Sequence, residues 1–398
     1  VRPPAPGLRA GPLVLLGSLY VAQGLPYGFF QTGFPAILRE LGLSLPQIGF
    51  TSLIALPWAL KFLWAPLLDA SRRRGWGRRA WILPLQALSA LLLLGVAALD
   101  PAAQLPLLLG AFVLINLLSA TQDIATDGLA VELLGPDERG LGNGLQVAGY
   151  RLGMVIGGGA LLAAMPWIGW AGVFVGMAAL IGLSSLPVLL QPEPPAPALA
   201  STAPSAWGLP QGGWPWVGLL LLYKAGDHLV TAMTRPWLVD LGWGIDEIGG
   251  LQGVVGSVAG MAGALVGGAL VPRLGRREAL VGFGLLQASA LGLWMAAAVA
   301  GGLQPLVVTA TLAEHLFGGM ATAALFTCMM DACDPRRAAT DYTVQASAVV
   351  LSSGVAASLS GVLAQAVGYP AHFGVGAGLA ALAAGLAAVV RLPPGSAR

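Results

Sequence analysis

Between residues 121 and 151 the chain reads TQDIATDGLAVELLGPDERGLGNGLQVAGYR, and Asp123, Asp127, Glu132 and Arg151 flank a short polar turn in otherwise apolar surroundings. Ionisable groups inside apolar segments are costly to desolvate and mark solute or ion pathways. Four further groups of this kind are Lys61, Lys224, Asp227 and Glu314. A carboxyl group that is neutral when protonated can cross an occluded state cheaply, which suits a proton carrier. Glu314, beside His315, is the first choice and Asp123 the second, with Asp127, Asp227 and His228 completing the candidate set. Arg151 keeps its charge at any working pH, so it suits holding an anionic solute group or pairing permanently with Asp123. Lys61 offers a second cation or snorkels to the surface. Lys224, Asp227 and His228 stand at i, i+3 and i+4, on one helix face. They form a charge-balanced cluster, or Lys224 simply neutralises Asp227 or Glu314. Gln23 beside Gly24-Leu25-Pro26 suggests a kinked, polar-lined first helix, and Tyr27 and Gln31, like Tyr20, offer hydrogen bonds to a solute. Together with Lys61, Arg151, Lys224 and Gln345 they make up the candidate solute-binding set. Trp58 and Trp64 suit membrane-interface anchoring equally well.

The elements that must position these groups are apolar helices. Of 398 residues 56% are hydrophobic and only 10% charged, against roughly 25% charged in soluble domains. The mean hydropathy is +0.78, and apolar runs of about 20 residues recur along the chain, as a polytopic membrane protein requires. A net charge of +2 gives no electrostatic footprint for nucleic acid. Cys328 and Cys333, five apart in one expected helix, make no metal motif and read as packing residues. Arg2 and Arg9 precede an apolar segment too long for the core of a cleavable signal peptide.

Twelve spans are expected, at about 11–37, 46–69, 80–99, 105–128, 140–163, 170–190, 213–238, 246–271, 278–300, 304–330, 340–366 and 371–390. Fifteen of the 20 Lys and Arg residues fall at the chain ends and in the even-to-odd connections, and only Arg39 falls in the opposite loops. The positive-inside rule then puts both termini in the cytoplasm. Residues 191–212, QPEPPAPALASTAPSAWGLPQG, form a Pro- and Ala-rich linker carrying one charge, Glu193. It divides the chain into six-helix halves, 1–190 and 213–398.

The halves repeat. LYVAQG at 19–24 matches LYKAGD at 222–227, LGLSLPQIG at 41–49 matches LGWGIDEIG at 241–249, and LQA recurs at 85–87 and 286–288. Gln146 and Gln345 each follow a polar turn, GPDERG and CDPRRA. A common offset near 200 is the signature of two parallel repeats. Between the second and third spans, PLLDASRRRGWGRRAW places Asp69 ahead of Arg78 and Arg79. These three make a candidate gating latch, unless the basic turn serves topology alone. The matching turn PRLGRRE at 272–278 has Leu270 or Val271 where the acid would stand, so a weaker latch or none is expected there.

The six-plus-six pattern, the linker and the Asp69…Gly77-Arg78-Arg79 turn resemble the major facilitator superfamily of secondary transporters across the whole chain. LPWALKFLWAPLLD at 56–69 and TQDIATDGLAVELL…ERGLGNGLQVAGYRLG at 121–153 resemble its AmpG-type permeases. That branch includes muropeptide importers, acetyl-coenzyme A transporters and certain siderophore uptake permeases. LYVAQGLPYGFF at 19–30 is more similar to the siderophore members. The resemblance implies an all-α membrane fold of two pseudo-symmetric bundles. It also implies that the first helix of each triplet lines a cavity and the third, here uncharged away from its ends, faces outward.

The function expected is proton-coupled import of a bulky polar or anionic solute, muropeptide-like or siderophore-like, by alternating access. An acetyl-coenzyme A or other organic-anion transporter is the alternative. A channel lacks a visible filter motif, and an embedded enzyme would need grouped ligands that His228, His315 and His372, on separate spans, do not provide. The expected partners are lipid, solute and protons, with no cofactor or metal, and the protein is expected to act as a monomer in a bacterial inner membrane.

Overall fold

The computed structural model describes residues 9–44, 47, 51–195 and 208–393, so most of the expected linker lies outside the described residues. The described chain is built of helices, as an apolar chain must be if its backbone polar groups are to be satisfied internally. Nine helices among the described residues are long and apolar enough to cross a membrane, or ten if the bent pair Leu53–Leu63 and Ala65–Arg73 is one span. Two further stretches differ from the twelve spans expected. The stretch Arg139–Leu190 is continuous over 52 residues, roughly 78 Å of helix at 1.5 Å per residue, but its backbone leaves the helical region at Gly169 (φ 69°, ψ 177°). The stretch 213–240 is divided at Lys224 into helices of 11 and 16 residues, each too short to span a ~30 Å core alone.

The chain separates into two compact units, Val1–Glu138 with Gly149–Ala203, and Arg139–Ala148 with Pro204–Arg398. In the first unit lie α1 (Ala10–Glu40), α2 (Leu56–Leu60), α3 (Ala65–Arg73), α4 (Arg79–Ala97) and α5 (Leu105–Leu133). Helix α6 (Arg139–Val155) contributes its second half to this unit, and α7 (Leu161–Leu190) completes it. Pro26 and Pro35 are accommodated inside the single helix α1. The expected second span is broken instead: Pro57 and Pro66 sit in the first turns of α2 and α3, and Lys61–Leu63 between them is a 3₁₀ turn. A proline lacks the N–H that would continue the preceding helix, so it is well placed where a new helix starts. Lys61 therefore opens a 3₁₀ turn just ahead of a 44° bend rather than lying on a regular α-helix face.

Phe29, Phe34, Phe112 and Phe174 are buried at the centre of this unit, with Phe29 and Phe174 in edge-to-face contact at 5.0 Å. Helices α1 and α6 cross closely. A Cβ on Gly24 would strike the Tyr150 carbonyl, and one on Gly153 would strike the Val21 carbonyl. Small residues at such crossings let two backbones touch in the absence of a hydrophobic driving force.

The second unit contains α8 (Gly213–Tyr223), α9 (Ala225–Asp240), α10 (Gly256–Leu274), α11 (Arg276–Val299), α12 (Gln304–Asp331), α13 (Ala338–Val367) and α14 (Tyr369–Val389). Its core holds Trp237, Trp294 and Phe373, with Trp237 edge-on to Phe373 at 5.6 Å. Cys328 is buried in α12, whereas Cys333 lies just past the end of that helix, and both are free thiols.

Candidate functional site

Helix α5 is the polar spine of the first unit, and its polar side chains are met in order by groups from α1 to α4. Asn116 Oδ1 accepts the Trp58 indole N–H at 3.1 Å, and Thr121 Oγ1 accepts that of Trp64 at 3.2 Å. These bonds give both tryptophans specific partners inside the unit. Further along, Lys61 Nζ donates to Asp123 Oδ2 and stands 3.9 Å from Asp127 Oδ2. Asp127 also accepts the Tyr20 hydroxyl at 2.9 Å. Gln23 Nε2 donates to Thr126 at 3.2 Å, while its Oε1 is buried and has no protein partner among the described residues. Lys61 is only 4% exposed, so it does not snorkel to a surface. Asp123, one of two partners expected for Arg151 beside an anionic solute group, is engaged by Lys61 from the 3₁₀ turn. Arg151 is half-buried on α6, next to Tyr150.

At the end of the spine Glu132 receives two arginines. Arg78 Nη2 bridges Asp69 at 2.6 Å and Glu132 at 2.8 Å, and Arg72 Nη2 reaches Glu132 at 2.8 Å. Glu193 closes the group: it pairs with Arg72 at 3.1 Å and accepts the backbone N–H groups of Arg78 and Arg79, which open α4. A carboxylate at a helix N-terminus meets both unsatisfied N–H groups and the positive end of the helix dipole. Arg79 thus enters the group through its backbone.

Asp227 and Glu314 are two of the buried acids of the second unit. Lys224, at the break between α8 and α9, pairs with Asp227 at 2.6 Å, and His228 is half-buried beside them. Glu314 pairs with His315 Nδ1 at 2.8 Å. Of the two partners expected for Lys224, Asp227 is the one it meets, and Glu314 has the adjacent imidazole. Gln345 is 1% exposed, its Oε1 accepting the Trp216 indole at 2.7 Å and its Nε2 donating to the Met329 and Asp341 carbonyls. Its amide serves the packing of the unit and does not present itself to a solute.

The second unit also carries an ion cluster at the turn 272–278, although no acid stands there at the position of Asp69. Asp331 pairs with Arg276 at 2.9 Å and Arg139 at 2.7 Å. The acid comes from the end of α12, not from α10, so searching only the turn 272–278 misses it. Asp331 follows Glu132 by 199 positions, and Arg276 follows Arg78 by 198. The repeat offset is the signal that would have found it.

Residues 16–222 match the model of the Major Facilitator Superfamily. The chain belongs to that superfamily. Anhydromuropeptide permease of Escherichia coli K12 is 35% identical over 349 residues, covering 84% of this chain and 70% of that protein. Putative transporter AmpG 4 of Rickettsia conorii is 25% identical over 377 residues, covering 89% of this chain and 90% of its own. Among solved structures, the human organic anion transporter MFSD10 superposes with a TM-score of 0.71 at 16% identity, covering 97% of this chain and 100% of that one. The proton:xylose symporter XylE gives 0.71 at 13% identity, covering 94% and 93%. At those identities the two structures speak to the fold alone.

The chain is thus an AmpG-like permease of the superfamily and an integral membrane transporter. For such a transporter the two arginine clusters, around Glu132 and around Asp331, are candidates for control of conformation. The Lys61–Asp123–Asp127 and Glu314–His315 groups are candidates for chemistry. Sequence reasoning passed over Asn116, Thr121 and Thr126. Their common signal is position: with Ser119, Gln122, Asp123, Asp127 and Glu132 they are the polar residues along one 29-residue helix.

Proposed function

We propose that this permease is a proton-coupled importer of anhydromuropeptide-type solutes, working by alternating access between two six-helix bundles, residues 1–190 and 213–398, joined by the 191–212 linker. Both termini lie on the cytoplasmic side of a bacterial inner membrane in this reading, and a monomer suffices. The observation that carries it is the 35% identity with the E. coli anhydromuropeptide permease over 84% of the chain. Support comes from the buried ionisable groups. Lys61 faces two carboxylates, Asp123 and Asp127, within 4 Å. Two acids beside one lysine leave one negative charge without its own cation in an apolar setting, the kind of arrangement a proton-coupling site uses. Glu314 with His315 offers a second site where a carboxyl and an imidazole can share a proton. Glu314 remains the first choice as carrier, because Asp123 is already bonded to Lys61.

The test is uptake into proteoliposomes holding the purified chain. Anhydromuropeptide should accumulate when the outside is made acidic, saturate with concentration, and lose accumulation on addition of a protonophore. A coenzyme A thioester or a ferric siderophore accumulating in its place would reject the solute. Accumulation insensitive to the protonophore would reject the coupling.

A further inference from the structure

Gln287, on α11, is 1% exposed, and its Nε2 is buried without a hydrogen-bond partner among the described residues. Gln86 in the first unit, at the centre of the same Leu-Gln-Ala triplet, shows what a packing glutamine looks like. It donates to the Ser184 hydroxyl at 2.9 Å and accepts from the Ser185 hydroxyl at 2.8 Å. A buried donor left unpaired gives up the hydrogen bond it had in water and recovers nothing for it. An orphan of this kind in a native fold calls for a function.

Two acids stand beside the Gln287 amide. Asp227 gives one oxygen to Lys224 at 2.6 Å, while the other, Oδ1, is buried without a protein partner among the described residues. The Gln287 amide nitrogen is turned to that carboxylate, close enough to stabilise its charge, without closing a bond. Glu314 gives Oε2 to His315, and its Oε1 borders the same gap as the amide. A Cβ on Gly318 would lie 3.4 Å from Gln287 Nε2 and 3.9 Å from Glu314 Oε1. One unspent donor thus faces carboxylates from two helices, α9 and α12.

The charges around it do not balance. The break between α8 and α9 and the first turn of α9 supply Lys224, Asp227 and His228, and His228 lies in the field of Glu314 as well. Helix α12 supplies Glu314 and His315, and α10 meets the His315 ring with Gly256 alone. Tyr223 donates to the Leu280 carbonyl, and His372 of α14 is bonded to the Leu229 carbonyl, so both are spent elsewhere. One permanent cation beside two acids leaves room for one proton. A hydrogen bond to the ionised form of a carboxyl group favours that form. A donor that serves one acid at a time therefore decides which of the two holds the proton.

We propose that Gln287 is a positioning residue for proton coupling, its amide donating to Asp227 or to Glu314 in turn, so that one acid is ionised while the other takes the proton. This rests on the proton-coupled reading of transport. The proton comes from solvent to the acid that the amide has left, and no bond other than that O–H is made or broken.

The test uses the full chain and two readouts, anhydromuropeptide accumulation in proteoliposomes and the infrared carbonyl band of protonated carboxyl groups in the purified protein. Gln287→Met keeps the reach of the side chain and removes the donor. The pH midpoint of accumulation and that of the infrared band should both rise, by about one unit or more, because the ionised acids lose their donor. Exchange of solute at equal pH on both sides should stay close to that of the unaltered chain. Gly318→Ala sets a methyl group against both Gln287 and Glu314 at ordinary contact distance, and alanine suits a helix better than glycine. It should move both midpoints the same way, and it keeps the measurement available should Gln287→Met fail to fold. Gln86→Met is the control: it should lower the melting temperature and leave both midpoints in place. Midpoints unmoved in Gly318→Ala and in a folded Gln287→Met overturn the role, as does an equal shift in Gln86→Met. Exchange and accumulation falling together at unmoved midpoints also overturn it, since that marks a packing residue. If the unaltered chain accumulates no solute under a proton gradient, the coupled reading falls, and the infrared midpoints alone decide whether Gln287 governs the two acids.

Discussion

Lys61 and Asp123 form an ion pair with side chains only 5% and 10% exposed, on two helices whose sequence positions are 62 apart. Taking two ions out of water is repaid only when the pair stays intact, so removal of one partner leaves the other stranded. Lys61→Ala should therefore destabilise the purified protein by about 3–5 kcal/mol. Thermal unfolding in detergent reads this. Lys61→Met combined with Asp123→Leu should cost less than the sum of the two single changes, because no charge of the pair is left alone. Additive losses would show that the two side chains do not depend on each other.

Arg78 serves two acids at once, Asp69 at 2.6 Å and Glu132 at 2.8 Å. Asp69→Asn leaves the Glu132 contact in place, so transport should slow through a shifted conformational equilibrium while solute affinity stays within a few fold. Arg78→Lys should do more harm, because an ammonium cannot reproduce the planar fork that reaches both carboxylates. Transport rate and binding affinity measured on the same preparation separate the two effects. A large loss of affinity in Asp69→Asn with unchanged conformational populations would sink the latch.

Much of this architecture was legible in the sequence, and the failures share a cause. Apolar runs, the basic turns and the repeat offset are local or periodic signals, so the helices and the Asp69–Arg78 contact could be read from them. Lys61 with Asp123 could not. Both residues were visible as buried charges, but their meeting depends on a 3₁₀ turn between two proline-started helices, which redirects Lys61 by tertiary geometry. Asp331 escaped for a related reason, since it joins Arg276 from 55 positions away. The contact of Gln345 with the Trp216 indole was not legible either, because a glutamine in an apolar helix looks the same in sequence whatever it faces.

Glu138, in the turn before α6, accepts Arg9 Nε at 2.9 Å and Nη2 at 2.5 Å. The Arg9 hydrogen bonds hold its carboxyl down from the ordinary 4.5 to about 2, against the opposing effect of partial burial. A depressed folded value means that the contact stabilises above the ordinary pKa and is lost as pH falls through the folded one. The melting temperature should thus decline between about pH 4.5 and pH 2. Glu138→Gln should flatten that part of the decline. The effect should be small, because the Arg9 side chain is 54% exposed and solvent screens the pair. An unchanged slope in Glu138→Gln would remove this contact from the acid response.

The proton carrier is the remaining prediction. Glu314 is 7% exposed on α12 and shares its proton, in the proposed mechanism, with the His315 imidazole at 2.8 Å. Glutamine has the shape of the protonated acid but cannot ionise. Glu314→Gln should therefore abolish accumulation driven by a proton gradient while preserving solute binding and downhill exchange. His315→Asn should give a milder loss, because the carboxyl remains and only its partner is gone. Accumulation and exchange need to be followed in the same vesicles, so that a folding defect, which lowers both, is told apart from uncoupling, which lowers only the first. Near-normal accumulation by Glu314→Gln would move the carrier to the first unit, where Asp123 and Asp127 share Lys61. Asp127→Asn is then the decisive variant: it removes the acid farther from the ammonium and leaves the Lys61–Asp123 pair intact.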